Sequence, residues 1–187
     1  MNILAITGKN KKTIYINLGG KMGGRGTLSP QAKQRAARIS RKALDWAKSK
    51  IGSTQYSTWT INGVLVYGTS KCNLFVEHAF NKGNPQEKPF PFTPSKQLLA
   101  AGIGRMRNYS ADEIYNGRLQ NFKLVKTPKP GDIATNSIHV GIVSGKGTTI
   151  SASTETNTVV ENSWGFRTKS KKPSVGMRFF RYTGDDK

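Results

Sequence analysis

The sequence has few cysteines, few acidic residues and no long apolar run. Its 187 residues include one cysteine, Cys72, which excludes an intramolecular disulfide and leaves the redox compartment undecided. No stretch is apolar for long enough to span a bilayer, and the opening run Met1–Thr7 is too short for a signal peptide. If the protein leaves its cell, we therefore expect a route other than the general secretory signal.

The scarcity of acids leaves the chain strongly basic. Ten Asp and Glu stand against 30 Lys and Arg, and the formal net charge is +20. The first fifty residues carry twelve Lys or Arg and a single acid, Asp45. Such a charge favours polyanionic partners, namely nucleic acid, an anionic membrane or the anionic bacterial wall, or it keeps the surface solvated. The length and an apolar share of 35% fit one globular domain.

The N-terminal half favours helices. Residues 1–28 combine a strand-like run at Thr13–Leu18 with a glycine-rich basic stretch that lacks the order of a phosphate-binding loop. We expect a flexible basic arm there, with an edge strand. Ser29 and Pro30 are a helix start, and apolar residues at helical spacing continue until Gly52 ends the run.

The C-terminal half favours strands. Ser110–Glu113 is a capping box that opens a short helix closed by Gly117, after a further short helix expected at Ser95–Ala101. A hairpin is expected earlier, at 59–67. Alternating runs separated by turn residues predict strands at about 132–134, 139–144, 148–153, 158–163 and 177–182. Helices followed by an antiparallel meander indicate an α+β fold.

Cys72 lies at a predicted helix start. Apolar residues follow it at i+3, i+4, i+7 and i+8, which places Cys72 in the first turn of an amphipathic helix. The helix dipole there favours a thiolate, and the unpartnered N–H groups of the first turn suit an oxyanion. The alternative is that Cys72 is a small core hydrophobe, as most lone cysteines are.

His139 opens the predicted strand Ile138–Val143. A histidine on a strand beside a cysteine at a helix start is the arrangement of a thiolate–imidazolium pair. The imidazole takes the thiol proton and later donates one to the leaving amine. The other histidine, His78, lies six residues after Cys72, roughly 9 Å along a helix, and we expect it to be a surface or packing residue.

Several segments, in order, resemble the NlpC-type cell-wall cysteine peptidases and the related CHAP amidases, both papain-like. The segments are Ala47–Gly52 with Tyr56, Lys71–Val76, Lys129–Ala134 leading into Ile138–Val143, and Met177–Tyr182. The likeness covers roughly residues 40–183. It implies a papain-like, NlpC-type single domain at 29–187, with N-terminal helices packed on a C-terminal antiparallel sheet or half-barrel. It also implies Cys72 as nucleophile and His139 as general base.

The resemblance leaves open which third polar group orients His139. In the NlpC type this residue follows the histidine by twelve positions, which is Ser151 here. In CHAP and papain-like relatives it is a Glu or Asn near a later Trp, and by that pattern Asn162 is the first candidate, Glu161 the second and Ser151 the third. Strand alternation points Glu161 and Asn162 to opposite faces.

Tyr56 and Trp164 are the expected oxyanion or substrate residues. Tyr56 resembles the tyrosine that lies near the oxyanion site in the family. Trp164, together with Trp59, lines a groove for sugars or peptide, or else belongs to the core.

The implied function is a peptidoglycan amidase or endopeptidase that cuts amide bonds in stem peptides or crosslinks, with no metal and no cofactor. The resemblance extends to amidase effectors of type VI secretion, which act in a rival's periplasm and are neutralised by an immunity protein; a phage lysin released at lysis is a variant. We expect a monomer that binds bacterial peptidoglycan without inserting into membranes. The alternatives are a basic nucleic-acid-binding module, which predicts aromatic residues among Lys and Arg on a sheet as in Met177–Tyr182, and an acyltransferase with the same Cys–His pair.

Overall fold

The computed structural model describes residues 3–7, 13–17, 28–60, 70–90, 93–94, 106–107, 109–164, 166 and 176–184. The described helices are α1 Pro30–Lys48, α2 Cys72–Gly83 and α3 Ala111–Tyr115. The described strands are β1 Ile3–Thr7, β2 Thr13–Asn17, β3 Thr93–Pro94, β4 Met106–Arg107, β5 Phe122–Val125, β6 Ile133–Thr135, β7 Val140–Gly145, β8 Thr148–Ala152, β9 Val159–Ser163 and β10 Arg178–Tyr182. The helix expected at Ser95–Ala101 and most of the hairpin expected at 59–67 lie outside the described residues.

Six strands form one open antiparallel sheet in the order β5-β10-β6-β7-β8-β9. Strands β6 to β9 follow one another as the predicted meander. Strand β10 departs from that pattern, because it enters between β5 and β6, where Phe179 pairs with Val125 on one side and Ala134 on the other. Strand β2 confirms the strand expected near Thr13, and it pairs with β1 in a separate two-stranded sheet.

Helix α1 begins as its sequence predicts. The Ser29 hydroxyl accepts a hydrogen bond from the Ala32 N–H at 3.1 Å, and Pro30 occupies the first helical position. One face, which includes Ile39 and Ala43, is fully buried, while the opposite face carries exposed arginines and lysines. The helix therefore covers the core with its apolar face and presents its positive charge outward.

Helix α2 is the central element of the core. It packs against α1 on one side and against β7 and β8 on the other. Four of its apolar side chains, Phe75, Val76, Ala79 and Phe80, are fully buried. Burial of each large one stabilises the fold by about 1.5–3 kcal/mol, so the position of Cys72 at the helix start is strongly fixed. Within the described parts of the chain, no helix is both long and apolar enough to cross a bilayer.

The Pro-Gly-Asp turn before β6 is fixed by a partly buried ion pair. The carboxylate of Asp132 accepts two hydrogen bonds from the Arg181 guanidinium, at 3.0 and 2.8 Å, and one from the Lys129 N–H at 2.7 Å. Gly131 has a φ of 89°, and a Cβ there would lie 2.6 Å from the Ser40 carbonyl oxygen of α1. Only glycine allows this approach, which holds the turn before β6 against α1.

Candidate active site

Cys72 and His139 meet where α2 adjoins the sheet. Cys72 is the first residue of α2, and His139 directly precedes β7. The side chain of His139 lies close enough to the Cys72 sulfur to lower the pKa of the thiol, although the two residues are sixty-seven positions apart in the chain. Cys72 is 3% exposed and His139 is half-buried, so the pair lies at the edge of the hydrophobic core with limited access to solvent.

Polar groups surround the Cys72 sulfur. Burial raises the pKa of the thiol, but the hydrogen bond and charge of His139, the Ser70 hydroxyl and the Val140 N–H lower it, and the resulting pKa lies below the ordinary value. The Ser70 oxygen is 3.5 Å from the sulfur. A thiol in a purely apolar core would have only the raising effect of burial. These surroundings favour a reactive thiolate over a core hydrophobe.

Ser151 lies beside the strand that His139 opens. A Cβ on Gly141, two residues after His139 and on the same face of β7, would come within 2.9 Å of the Ser151 Cβ and 3.0 Å of the Phe166 ring. Phe166 also packs edge-on against the His139 ring, with 4.6 Å between centroids. The Ser151 oxygen is fully buried and has no hydrogen-bond partner among the described residues.

The structure does not bring Asn162 or Glu161 to His139. Asn162 faces Thr149 on β8 and accepts a hydrogen bond from the Thr149 hydroxyl at 3.2 Å. Thr149 in turn pairs with Val143, towards the end of β7 that is remote from His139. Glu161 is exposed and accepts a hydrogen bond from a serine hydroxyl at the end of β7, while Asn162 is buried, so the two lie on opposite faces as alternation predicts.

Trp164 also lies at the remote end of the sheet. Its backbone N–H donates a hydrogen bond to the Gly147 carbonyl in the turn between β7 and β8, and its ring packs on Phe179 with 5.0 Å between centroids. It packs against a small apolar cluster that includes Val143 and is separate from the main core cluster around α2. Of the two alternatives for Trp164, the structure therefore favours the packing role, because His139 lies at one end of β7 and Trp164 lies beyond the other end.

Tyr56 is buried against α2, where it contacts His78 and Phe75. Its hydroxyl lies 2.7 Å from Nδ1 of His78, and its ring packs edge-on against Phe75. Burial raises the pKa of Tyr56, and burial lowers the pKa of His78 to about 4, so a protonated phenol faces a neutral ring at neutral pH. His78 is thus the packing residue that its distance from Cys72 predicted, and it engages the Tyr56 hydroxyl that was expected near the oxyanion.

Sequence reasoning missed Lys71 as a structural residue of the site. Its side chain is 1% exposed, burial lowers its pKa, and its ammonium group donates to the Ser57 carbonyl at 2.9 Å. This bond ties the segment that carries Tyr56 to the start of α2. A lysine predicts an exposed side chain, so no sequence signal pointed to this role.

In the described ranges, no three His, Cys, Asp or Glu residues are grouped to hold a metal ion.

Several solved structures have a similar fold. A hypothetical invasion protein of Mycobacterium tuberculosis is 18% identical with a TM-score of 0.49, over 86% of this chain and 68% of that one. The peptidoglycan hydrolase RipB of Mycobacterium tuberculosis is 18% identical with a TM-score of 0.46, over 87% and 75%. The P60 domain of an antigen of M. avium subspecies paratuberculosis is 16% identical with a TM-score of 0.46, over 81% and 98%.

No protein-family model and no curated protein matches the sequence. At these identities and TM-scores the likeness is one of fold. The chain is an α+β protein whose helices pack on an open antiparallel sheet, with a cysteine and a histidine brought together where the two layers meet.

Proposed function

We propose that the protein is a cysteine hydrolase that cuts amide bonds in bacterial peptidoglycan, as an amidase or an endopeptidase. The observation that carries the proposal is the juxtaposition of Cys72, at the start of a buried helix, and His139, whose side chain lowers the pKa of the thiol. The wall substrate is supported by the ordered sequence segments that resemble NlpC-type and CHAP enzymes, and by a net charge of +20 that suits an anionic polymer.

The proposed reaction begins with the Cys72 thiolate, which attacks the carbonyl carbon of the amide. The carbonyl electrons move to oxygen, and the N–H groups of the first turn of α2, including that of Cys72, receive the oxyanion. The His139 imidazolium donates its proton to the amine nitrogen, the C–N bond breaks and a thioester forms. His139 then takes a proton from water, which attacks the thioester and releases the carboxylate and the thiolate.

Among the three candidates for the orienting group, we assign Ser151. It alone lies on the neighbouring strand next to Gly141, on the face that alternation gives to His139. Its hydroxyl oxygen is buried, and such an oxygen gains from any hydrogen bond that it makes. A hydroxyl is short, and the edge-on packing of Phe166 supplies part of the ring's orientation.

We further propose that the enzyme is an antibacterial effector of type VI secretion that acts in the periplasm of a target cell and is held inactive by an immunity protein. The support is the resemblance of Lys71–Val76 to the nucleophile segment of such effectors. Expression in a Gram-negative host, with and without a periplasmic export signal, tests this role. We expect the host cells to lyse only when the enzyme is exported to the periplasm and only when Cys72 is intact. Export of an active enzyme without harm to the host would contradict the effector role.

Digestion of purified sacculi tests the enzymatic proposal. Wild type and Cys72→Ala are incubated with sacculi, and the released muropeptides are analysed by mass. We expect wild type alone to produce fragments with new carboxyl and amine ends, whose masses identify the bond. New amide products in place of free carboxyl ends would indicate the acyltransferase alternative. Unchanged muropeptides with a folded wild type would refute the hydrolase.

A further inference from the structure

The turn that carries His139 is held by one side chain. The Asn136 side-chain oxygen accepts hydrogen bonds from the N–H groups of Ile138, at 3.2 Å, and His139, at 2.8 Å. The Asn136 N–H donates back to the His139 carbonyl at 3.2 Å. Residues 136 and 139 are therefore bonded in both directions, and the short loop between β6 and β7 is closed on itself.

The same turn contains a strained residue. Ser137 has a φ of 72°, in the left-handed region that costs a residue with a side chain about 1–2 kcal/mol. A strained conformation persists only where the surroundings impose it. Asn136 is positioned to impose it, because its oxygen bonds the two N–H groups that follow Ser137.

The turn is also anchored to the helical layer. The Thr135 hydroxyl lies 3.0 Å from the His139 carbonyl and 3.3 Å from the Ala111 carbonyl at the start of α3. Thr135 is fully buried, so these contacts are shielded from water. The Thr135 contacts fix the position of the turn relative to α3, and the Asn136 hydrogen bonds fix the backbone conformation of the turn.

The shape of the turn decides which side chain faces Cys72. Ile138 points outward and is 84% exposed, although it is a large apolar residue. The next residue, His139, points inward to the sulfur, and the Val140 N–H reaches the sulfur as well. A change in the turn would move both the imidazole and this N–H, since they lie on consecutive residues directly after it.

We propose that Asn136 is a positioning residue of the active site, whose side-chain oxygen holds the turn at 135–139 so that His139 and the Val140 N–H face the Cys72 sulfur. The proposal rests on the proposed function for its catalytic meaning, but the geometry that it describes is tested on the thiol alone. Asn136 touches neither the sulfur nor the substrate in this role; it acts through the backbone of the two residues that do.

The test compares the pH profile of Cys72 alkylation by iodoacetamide in wild type, Asn136→Ala and Asn136→Asp. Asn116→Ala is the matched control, because the Asn116 side chain bonds the Asp112 carbonyl at the end of α3. We expect Asn136→Ala to lower the rate at pH 7 by about tenfold and to displace the profile towards that of a free thiol. Asn136→Asp keeps an oxygen acceptor and should retain most of the rate, and the control should match wild type.

An Asn136→Ala profile that coincides with wild type would overturn the proposal, even if the melting temperature falls, because a purely structural residue would give that result. A profile for Asn136→Asp as displaced as that of alanine would overturn it too. If Asn136→Ala does not fold, the substitution is made in a Ser137→Gly background, which removes the left-handed strain. The alkylation profile of the double variant Asn136→Ala/Ser137→Gly is then compared with that of Ser137→Gly alone, and equal profiles would overturn the proposal. A normal wild-type profile without cleavage of sacculi would refute the proposed function and leave this inference intact.

Discussion

Replacing His139 by alanine removes the group that opposes the burial of the Cys72 thiol. In wild type, burial raises the pKa of Cys72, and the hydrogen bond and charge of His139 are the largest of the effects that lower it. In His139→Ala the burial remains and the main compensation is lost. The thiolate should therefore be scarce at neutral pH in the variant.

The size of this effect follows from Coulomb's law. Two unit charges about 4 Å apart at an effective dielectric constant of about 20 interact by about 4 kcal/mol. Each 1.36 kcal/mol is a factor of ten in an equilibrium constant, so full loss of the pair would lower the thiolate population by about a thousandfold. The Ser70 hydroxyl and the Val140 N–H remain, so we expect the alkylation rate at pH 7 to fall by about 100-fold to 1000-fold.

The assay is the rate of iodoacetamide alkylation, followed by intact mass from pH 4 to 10. His78→Gln is the matched histidine control, because His78 bonds Tyr56 and lies six residues along α2 from Cys72. Wild type and the control should react from a pH below the free-thiol value of about 8.5, and His139→Ala only near or above it. Equal profiles for wild type and His139→Ala would refute the thiolate–imidazolium pair.

Three further changes test the surrounding structure. Burial lowers the pKa of His78 to about 4 from the ordinary histidine value of 6.5, so wild type keeps its stability above pH 6.5 and loses it towards pH 4. We expect a loss of about 1–2 kcal/mol after discounting for solvent screening, and a smaller loss in His78→Gln, both measured by urea unfolding. Gly131→Ala places a Cβ 2.6 Å from a backbone oxygen and should lower the free energy of unfolding by about 3 kcal/mol. Gly147, the control position, has a φ of 81° and open space around it, so Gly147→Ala should cost about 1 kcal/mol. Equal losses in the two variants would contradict the close approach at Gly131. Arg35→Gln with Arg41→Gln, on the exposed face of α1, should raise KM for sacculi several-fold and leave kcat unchanged; an unchanged KM at low salt would exclude this face from substrate binding.

The sequence predicted those elements whose signals are local. Ser29 and Pro30 mark the start of α1, Ser110 and Glu113 form the capping box of α3, and Cys72 begins α2. Each follows from hydrogen bonds or apolar spacing within a few residues, which a single sequence contains.

The rest depends on register and long-range pairing, which periodicity does not encode. The insertion of β10 between β5 and β6 requires knowing which edge the last strand joins. The same is true of the candidates for the third polar group. The pairing of β7 with β8 places Ser151 beside Gly141, and the pairing of β8 with β9 places Asn162 opposite Thr149, towards the end of β7 that is remote from His139. The inward-facing Lys71 contradicts the usual exposure of lysine and had no local signal.

The most direct test of the account is to trap the covalent intermediate. The enzyme is mixed with sacculi, quenched in acid within a turnover and digested with trypsin, which releases the peptide Cys72–Lys82. We predict that this peptide carries the mass of an acyl fragment from the wall in wild type and carries none in Cys72→Ala. Cleavage of the wall by wild type without that adduct, or with an adduct on another residue, would contradict Cys72 as the nucleophile.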